Sequence, residues 1–165
     1  EKKADMATSA NISMNVDVIN AFLTEGMNAF QSMFGITATP NKPHLLEVGT
    51  GHQWEISGLL GITGHYKGIV AFRLHKILAN KMLELSGLEF TPEEHDEFAV
   101  GLVSEFTNVI SGHAVTAIKD YFLDISPPYT IIGHNHIIAW PKNYPVIAIP
   151  FTTPYGPFEV DVCFK

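Results

Sequence analysis

The sequence has little cysteine and little charge. One of its 165 residues is cysteine, ten are lysine or arginine, and charged residues make up only 16% of the chain. The single cysteine, Cys163, allows no intramolecular disulfide, so we expect a reducing compartment and a cytoplasmic location. The basic residues are scattered and the formal net charge is -7. We therefore expect neither nucleic acid nor a membrane as a partner.

A long apolar segment is missing from the start of the chain as well. Between Ala4 and Ser13 the chain is polar, without the apolar run of a signal peptide or the length of a membrane span. We predict a disordered leader over residues 1–14 and a single folded domain over residues 15–165. The chain is 46% hydrophobic, which at this length is enough to bury a core without disulfides or metals.

Helices and strands are predicted in blocks rather than in strict alternation. Apolar residues at helical spacing predict helices at Val18 to about Met33, at His75–Ser86 and within Glu93–Phe122. Alternating apolar residues bounded by glycine and proline predict six strands, at Leu45–Val48, Trp54–Ile62, Lys67–Leu74, Tyr129–Ala139, Pro145–Phe151 and Phe158–Phe164. This order favours an α+β fold in which helices cover an antiparallel sheet.

The third predicted helix carries a polar stripe flanked by glycines. Four residues share one face because they stand at i, i+4, i+7 and i+11: Gly101, Glu105, Asn108 and Gly112. Each glycine costs a helix about 1 kcal/mol relative to alanine, which suggests that something approaches this face closely. The amide of Asn108 can donate and accept at once, the capacity needed to hold a water in line with a phosphorus centre, and Glu105 can pair with a partner's lysine. A Glu-x-x-Asn pair also occurs on ordinary helix surfaces, so a merely solvated stripe is the alternative.

The first predicted helix carries a second copy of this pattern. The same spacing relates Ala21, Glu25, Asn28 and Ser32. Each copy is followed by predicted strand pairs, which indicates an internal repeat related by a pseudo-two-fold axis. The second copy is either a further site at Glu25 and Asn28 or a surface relic of the repeat.

Other catalytic patterns are weak. Eight histidines are present, but none has the H-x-x-x-H or H-E-x-x-H spacing of a zinc site. His134 and His136 alternate onto one face of a predicted strand, a two-ligand start at most, and a metal-dependent enzyme that uses them with a carboxylate is one alternative. The glycines lack the spacing of a phosphate-binding loop, and no serine lies in a G-x-S-x-G setting. We predict no metal site in this chain.

Three motifs carry a likeness to a known family. They are V-x-E-F-T-N-V-I-S-G-H-A on the third helix, G-L-L-G-I-T-G-H-Y-K-G-I-V-A-F in the first hairpin, and P-V-I-A-I-P-F-T-T-P-Y-G-P-F-E-V-D-V near the end. With these motifs the sequence resembles the chemotaxis phosphatase CheX, of the wider CheC, CheX and FliY group. The resemblance implies a CheC-like fold in which two long helices pack on an antiparallel sheet.

The resemblance also implies an activity. Such phosphatases remove the phosphoryl group from the phospho-aspartate of a CheY-like response regulator. Asn108 would position the attacking water, Glu105 would pair with the regulator's lysine, and Gly101 and Gly112 would let the partner close down over the stripe. The regulator would supply Mg²⁺, and this chain would bind no cofactor of its own.

Two further expectations follow from the resemblance. One is a homodimer formed through sheet edges. The other concerns the copy at Glu25 and Asn28, which looks like the two-motif arrangement of CheC. The main rival to a phosphatase is a non-catalytic adaptor of the same fold that docks a receiver without accelerating hydrolysis.

Overall fold

The structure is a computed structural model that describes residues 2–47 and 53–164, with side chains from Val16 onward. Its helices are α1, α2 and α3, at Lys2–Phe34, Lys76–Leu85 and His95–Ala117, and a 3₁₀ turn at Pro92–Glu94 precedes α3. Its strands are β1 to β8, at Thr39–Pro40, His44–Leu45, Ile56–Gly64, Gly68–Leu74, Leu123–Ile125, Tyr129–Ile132, Val146–Thr153 and Gly156–Phe164. The blocks of helices and strands follow one another as predicted.

The strands form one antiparallel sheet. Its order is β1-β7-β8-β4-β3-β5, with β2 also pairing with β7 and β6 also pairing with β3. The long central strands β3, β4, β7 and β8 form two hairpins, and the glycine beside each turn has positive φ, 116° at Gly64 and 123° at Gly156. The predicted α+β fold with helices over an antiparallel sheet is confirmed.

The helices α1 and α3 lie side by side on one face of this sheet. Phe30 of α1 stacks on Phe158 of β8, with ring centroids 4.3 Å apart, and meets Phe106 of α3 edge-on at 4.7 Å. Glu25 of α1 lies opposite His113 of α3, at 3.6 Å between Oε2 and Nδ1. Because position 25 meets 113 while position 30 meets 106, the two helices run antiparallel. Their aromatic contacts join both helices to one core.

The close packing of α3 on the sheet depends on a glycine. A Cβ at Gly58 of β3 would overlap the hydroxyl oxygen of Thr107 and lie 3.1 Å from the Cβ of Thr107. Thr107 is fully buried, and its hydroxyl donates to the carbonyl of Val103 one turn earlier at 2.7 Å. The face of α3 that contains Thr107 is therefore fixed against β3, which determines which residues of the helix point away from the sheet.

Some element boundaries differ from the predictions. The first helix begins at Lys2 rather than Val18, so residues 2–14 have a helical backbone where the sequence predicted disorder; the domain boundary at residue 15 stays a prediction. The strand β6 ends at Ile132 instead of Ala139. The strand β2 covers only His44–Leu45 of its region, and the predicted end of that strand at Val48 lies outside the described residues. None of the helices within 2–47 and 53–164 is both long and apolar enough to cross a membrane.

Polar side chains are buried on the sheet face that α3 does not cover. Arg73 of β4 is fully buried and donates from Nε to Ser57 Oγ at 3.1 Å and from Nη2 to the carbonyl of His136 at 3.4 Å. Nδ1 of His136 donates to the carbonyl of Gly133 at 2.7 Å, and Nε2 hydrogen bonds to Ser57 Oγ at 2.6 Å. These bonds hold the segment that follows β6 against the sheet.

The carboxyl groups of Asp161 and Glu159 are buried on the same face of the sheet. Asp161 Oδ2 lies 3.6 Å from Nη1 of Arg73, which is too long for a hydrogen bond, and both side chains are fully buried. Burial raises the pKa of Asp161 to about 9, with a further contribution from Glu159, while the attraction to Arg73 opposes the increase. Burial wins because the distance to Arg73 leaves the carboxylate poorly compensated. Asp161 is therefore protonated near neutral pH.

This pKa predicts how stability depends on pH. The folded protein holds a proton on Asp161 that the unfolded chain releases near pH 3.8. The stabilising contribution is therefore complete below that pH and is lost as pH rises through about 9. We expect the free energy of unfolding to fall by about 1 kcal/mol per pH unit between pH 6 and 9, measured by urea unfolding.

The substitution Asp161→Asn removes the titrating proton but retains a neutral polar group of the same shape. This variant should show a clearly flatter pH dependence over the same range. Glu89→Gln, at an exposed loop position, is the control and should keep the wild-type slope. An unchanged slope in Asp161→Asn would contradict the assignment.

Candidate functional site

The start of α3 is defined by local chemistry. The backbone N–H of Thr91 donates to Oε2 of Glu94 at 2.9 Å, and Pro92 opens the 3₁₀ turn. Acidic residues at 93, 94, 96 and 97 lie in the first turns, where the helix dipole favours negative charge. These acidic residues are therefore accounted for as the beginning of a helix.

The polar stripe lies on the face of α3 that points away from the sheet. Gly101 and Glu105 are exposed, and Asn108 and Gly112 are half-buried. The opposite face is buried against the sheet and its neighbours, through Ala99, Leu102, Val103, Phe106, Thr107, Ile110, Ser111, Ala114 and Val115. The helix thus presents Glu105 and Asn108 outward on a rigid, well-anchored support.

The two glycines of the stripe are not required by the fold. A Cβ at Gly101 would have no atom within 4 Å, and one at Gly112 would make an ordinary contact with Ile125 Cδ1 at 3.6 Å. Both contrast with Gly58, whose missing side chain makes room for α3. Because Gly101 and Gly112 have no side chains, the outer surface around Glu105 and Asn108 is open.

A contact that the sequence did not reveal supports the same turn of α3. The hydroxyl groups of Ser104 and Thr130 hydrogen bond to each other, and Thr130 also donates to the carbonyl of Val100 at 3.5 Å. Thr130 belongs to β6, so this strand braces the helix on the residue just before Glu105. Sequence reasoning missed Thr130 because nothing in a strand pattern indicates which hydroxyl meets a distant helix.

The second copy of the motif, on α1, lies in a different environment. Ala21 is buried, and the side chain of Glu25 is 20% exposed with Oε2 3.6 Å from Nδ1 of His113. Asn28 and Ser32 are exposed. The structure therefore places Glu25 in the groove between the helices and Asn28 on the outer surface, so the copy does not form the open stripe that α3 has.

The difference arises because α1 is turned about its own axis relative to α3. Ala21 is buried whereas its counterpart Gly101 is exposed; in the other direction, Val103 of α3 is buried whereas its counterpart Leu23 is half-buried. Gly26 allows this orientation, since a Cβ there would lie only 3.0 Å from Cζ of Phe151 in β7. The equal spacing in the two sequences thus produces two different surfaces.

The histidine-based alternative loses its geometric basis. His134 and His136 follow the end of β6 and do not alternate along a strand. His136 turns inward to Ser57, whereas the mostly exposed His134 has Nδ1 3.9 Å from Oε2 of Glu55. Across the described parts of the chain, no group of three or more His, Cys, Asp or Glu side chains could hold a metal ion.

Comparison with known proteins gives the family context for this site. The family model described as "Chemotaxis phosphatase CheX" matches residues 56–152, more than half of the chain. This range includes β3, β4, all of α3 and nearly all of β7. No curated protein sequence matches the chain significantly.

Solved structures agree with the family model. A CheC-like superfamily protein from Shewanella sp. PV-4 is 31% identical with a TM-score of 0.81, and the match covers 91% of this chain and 98% of that one. The chemotaxis protein CheX from Desulfovibrio desulfuricans is 29% identical with a TM-score of 0.81, covering 90% and 99%. A CheX–CheY–BeF₃–Mg²⁺ complex from Borrelia burgdorferi contains a chain that is 24% identical with a TM-score of 0.75, covering 89% and 97%, and shares the fold. The match across residues 56–152, together with the 31% identity over nearly the full length of the Shewanella protein, shows that the chain belongs to the CheX family of chemotaxis phosphatases.

Proposed function

We propose that this protein hydrolyses the phospho-aspartate of a CheY-like response regulator, with Glu105 and Asn108 as the residues that enter the regulator's active site. One observation carries the assignment: a CheX-family chain holds these two side chains on the outward face of a firmly anchored helix. The Borrelia CheX structure is a complex with CheY, BeF₃ and Mg²⁺, which supports the class of partner.

The chemistry needs little from this chain. A water oxygen attacks the phosphorus, the bond between phosphorus and the aspartate oxygen breaks, and inorganic phosphate leaves with the aspartate carboxylate restored. Asn108 can accept a hydrogen from that water and donate to a phosphoryl oxygen, which holds the nucleophile in line. The receiver supplies Mg²⁺, which neutralises charge on the phosphoryl oxygens.

Glu105 has a different role in this proposal. Its side chain is exposed on α3, so its carboxylate is accessible to the lysine of the receiver's active site and can exchange its hydration for an ion pair. A charged pair that becomes enclosed when the partner docks contributes both orientation and affinity. Glu105 therefore acts mainly on binding and Asn108 mainly on the chemical step.

The decisive experiment measures phosphate loss from a phosphorylated CheY-like receiver in the presence of Mg²⁺, with and without this protein. We expect the receiver to lose its phosphate faster even when this protein is present in smaller molar amount than the receiver. Binding to a receiver loaded with beryllofluoride, without faster decay, would instead establish the non-catalytic adaptor. If the protein neither binds any receiver encoded alongside it nor accelerates the dephosphorylation of one, the proposed function is refuted.

We also propose a homodimer formed through the strand β6. Within the described residues this strand pairs with β3 alone, and it exposes 75% of Tyr129, 41% of Ile131 and 47% of Ile132. An exposed apolar edge strand is a natural surface for pairing with a second copy.

The dimer proposal predicts a solution mass about twice the 18.2 kDa of the chain. Ile131→Lys places a charge on the pairing edge and should shift the mass measured by light scattering to that of the monomer. Ile77→Lys, at a position that is 68% exposed on α2, is the matched control and should remain dimeric. A wild-type monomer would contradict the proposal.

A cytoplasmic location is part of the same proposal. The substrate proposed here is an intracellular signalling protein, and the single cysteine is buried and free, which suits a reducing compartment.

A further inference from the structure

The paired helices present an outer surface with very few charges. Over residues 18–34 of α1 and 98–117 of α3, Glu25 and Glu105 are the only Asp, Glu, Lys or Arg residues. By contrast, the ten residues of α2 include Lys76, Lys81 and Glu84. Helix faces that stay in water are usually charged, whereas the centres of protein interfaces are depleted of charge.

Exposed polar residues without charge are also present on the neighbouring helix. On α1 the exposed positions include Thr24, Asn28 and Gln31. The pair between Glu25 and His113 joins α1 to α3. The row of polar amides and hydroxyls on α1 and the stripe on α3 therefore both face outward, on two helices that pack side by side.

We propose that the receiver docks across both helices, with Thr24, Asn28 and Gln31 of α1 inside its footprint, and that the α1 copy of the motif serves docking rather than catalysis. This proposal rests on the proposed function. It commits to the receiver as the occupant because the row lies on the helix that packs directly beside α3, which carries the residues assigned to the receiver's active site.

The position of Glu25 excludes it from the role assigned to Glu105. Its carboxylate is in the groove between the helices and faces His113, with only 20% of the side chain exposed. A lysine of a docking protein would have to displace that contact and enter the groove beside the buried Ala21. Asn28 is consequently left on the surface without a neighbouring free carboxylate, which suits a contact residue.

The test introduces one charge on the α1 row. Asn28→Lys should weaken binding to a beryllofluoride-loaded receiver by about tenfold or more and raise KM similarly, because a new charge in a docked interface loses its hydration without a partner. The rate at saturating receiver should stay within about twofold of wild type, as expected for a change in binding alone. Asn80→Lys adds the same charge at an exposed asparagine of α2 and should change neither value.

A second variant separates docking from catalysis. Asn28→Ala removes the amide without adding charge and should leave kcat within about twofold of wild type, because a contact residue affects binding and not the bound transition state. A large loss of kcat in Asn28→Ala would make α1 a second catalytic stripe and overturn the docking role.

The remaining outcomes are distinguishable. If the wild-type protein accelerates dephosphorylation but Asn28→Lys binds and reacts like wild type, α1 lies outside the footprint and this inference fails while the function stands. If Asn28→Lys instead dissociates the dimer without changing receiver binding, the row is an interface between copies of this chain, and the inference again fails. A wild-type protein that neither binds nor accelerates overturns the proposed function first.

Discussion

Asn108→Ala should lower kcat for receiver dephosphorylation by about a hundredfold or more, because the amide that holds the attacking water is lost while no other side chain of the stripe can replace it. Asn108 is half-buried in the outward-facing stripe of α3 and is not among the residues of that helix that are buried against the sheet. Removing its side chain therefore leaves the packing of the helix intact. Binding of a beryllofluoride-loaded receiver should stay within about threefold of wild type, since the substitution acts on the reacting water and not on docking.

The contrast with Glu105 makes this prediction specific. Glu105→Ala should weaken binding and slow the reaction together, because the pair with the receiver's lysine is present both before and during the chemical step. Asn80→Ala, at an exposed asparagine of α2, is the control and should behave as wild type. Wild-type phosphate decay in Asn108→Ala would refute the assignment of the water-positioning role.

The second large effect concerns Gly58→Ala and is measured as stability. The new methyl group would overlap the hydroxyl of Thr107 and lie 3.1 Å from its Cβ and 3.4 Å from Cγ1 of Val103. The helix must therefore move away from β3 or the side chains must leave their rotamers, at a cost of about 3 kcal/mol, the upper part of the range for overpacked cores. Urea unfolding should show this loss as a lower midpoint with an unchanged slope.

Two companion variants make the interpretation unambiguous. Gly58→Ala combined with Thr107→Ala removes the overlapping hydroxyl and should recover part of the loss, whereas Thr107→Ala alone in the wild-type background should not stabilise. Gly101→Ala adds a methyl group where no atom lies within 4 Å, and should raise stability by about 1 kcal/mol through helix propensity. If Gly58→Ala unfolds at the wild-type urea midpoint, the close packing of α3 on β3 does not depend on Gly58.

Gly101→Ala also distinguishes stability from docking. If the receiver packs closely over the stripe, the methyl group of Gly101→Ala should obstruct docking. The variant should then have a higher KM although it is more stable. A stabilised protein with an unchanged KM would show that the space above Gly101 is not used.

Residue patterns were sufficient for the parts of the fold that depend on local chemistry. The period of the apolar residues predicted three helices in their observed order, and alternating apolar residues bounded by glycine and proline predicted the four long strands that form the two hairpins. The α3 stripe could also be found from spacing alone, since residues at i, i+4, i+7 and i+11 share a face in any straight helix.

Spacing could not show how each helix is turned on the sheet. Ala21 and Gly101 occupy equivalent places in the two copies, yet one is buried and the other exposed. That difference depends on contacts between residues far apart in the chain, Gly26 with Phe151 and Gly58 with Thr107. The pairing of Glu25 with His113 and the brace from Thr130 to Ser104 have the same origin, because each joins elements whose relative placement no local pattern encodes.

The contact between Gly26 and Phe151 has an evolutionary consequence. The face that α1 turns outward depends on a residue and a ring that both lie buried beneath the helix. After an internal duplication, changes in the core could therefore bury or expose one of the two copies of the motif while every surface side chain stays conserved. In such proteins the motif alone is a poor guide to the number of working sites, and the residue under the helix is informative as well.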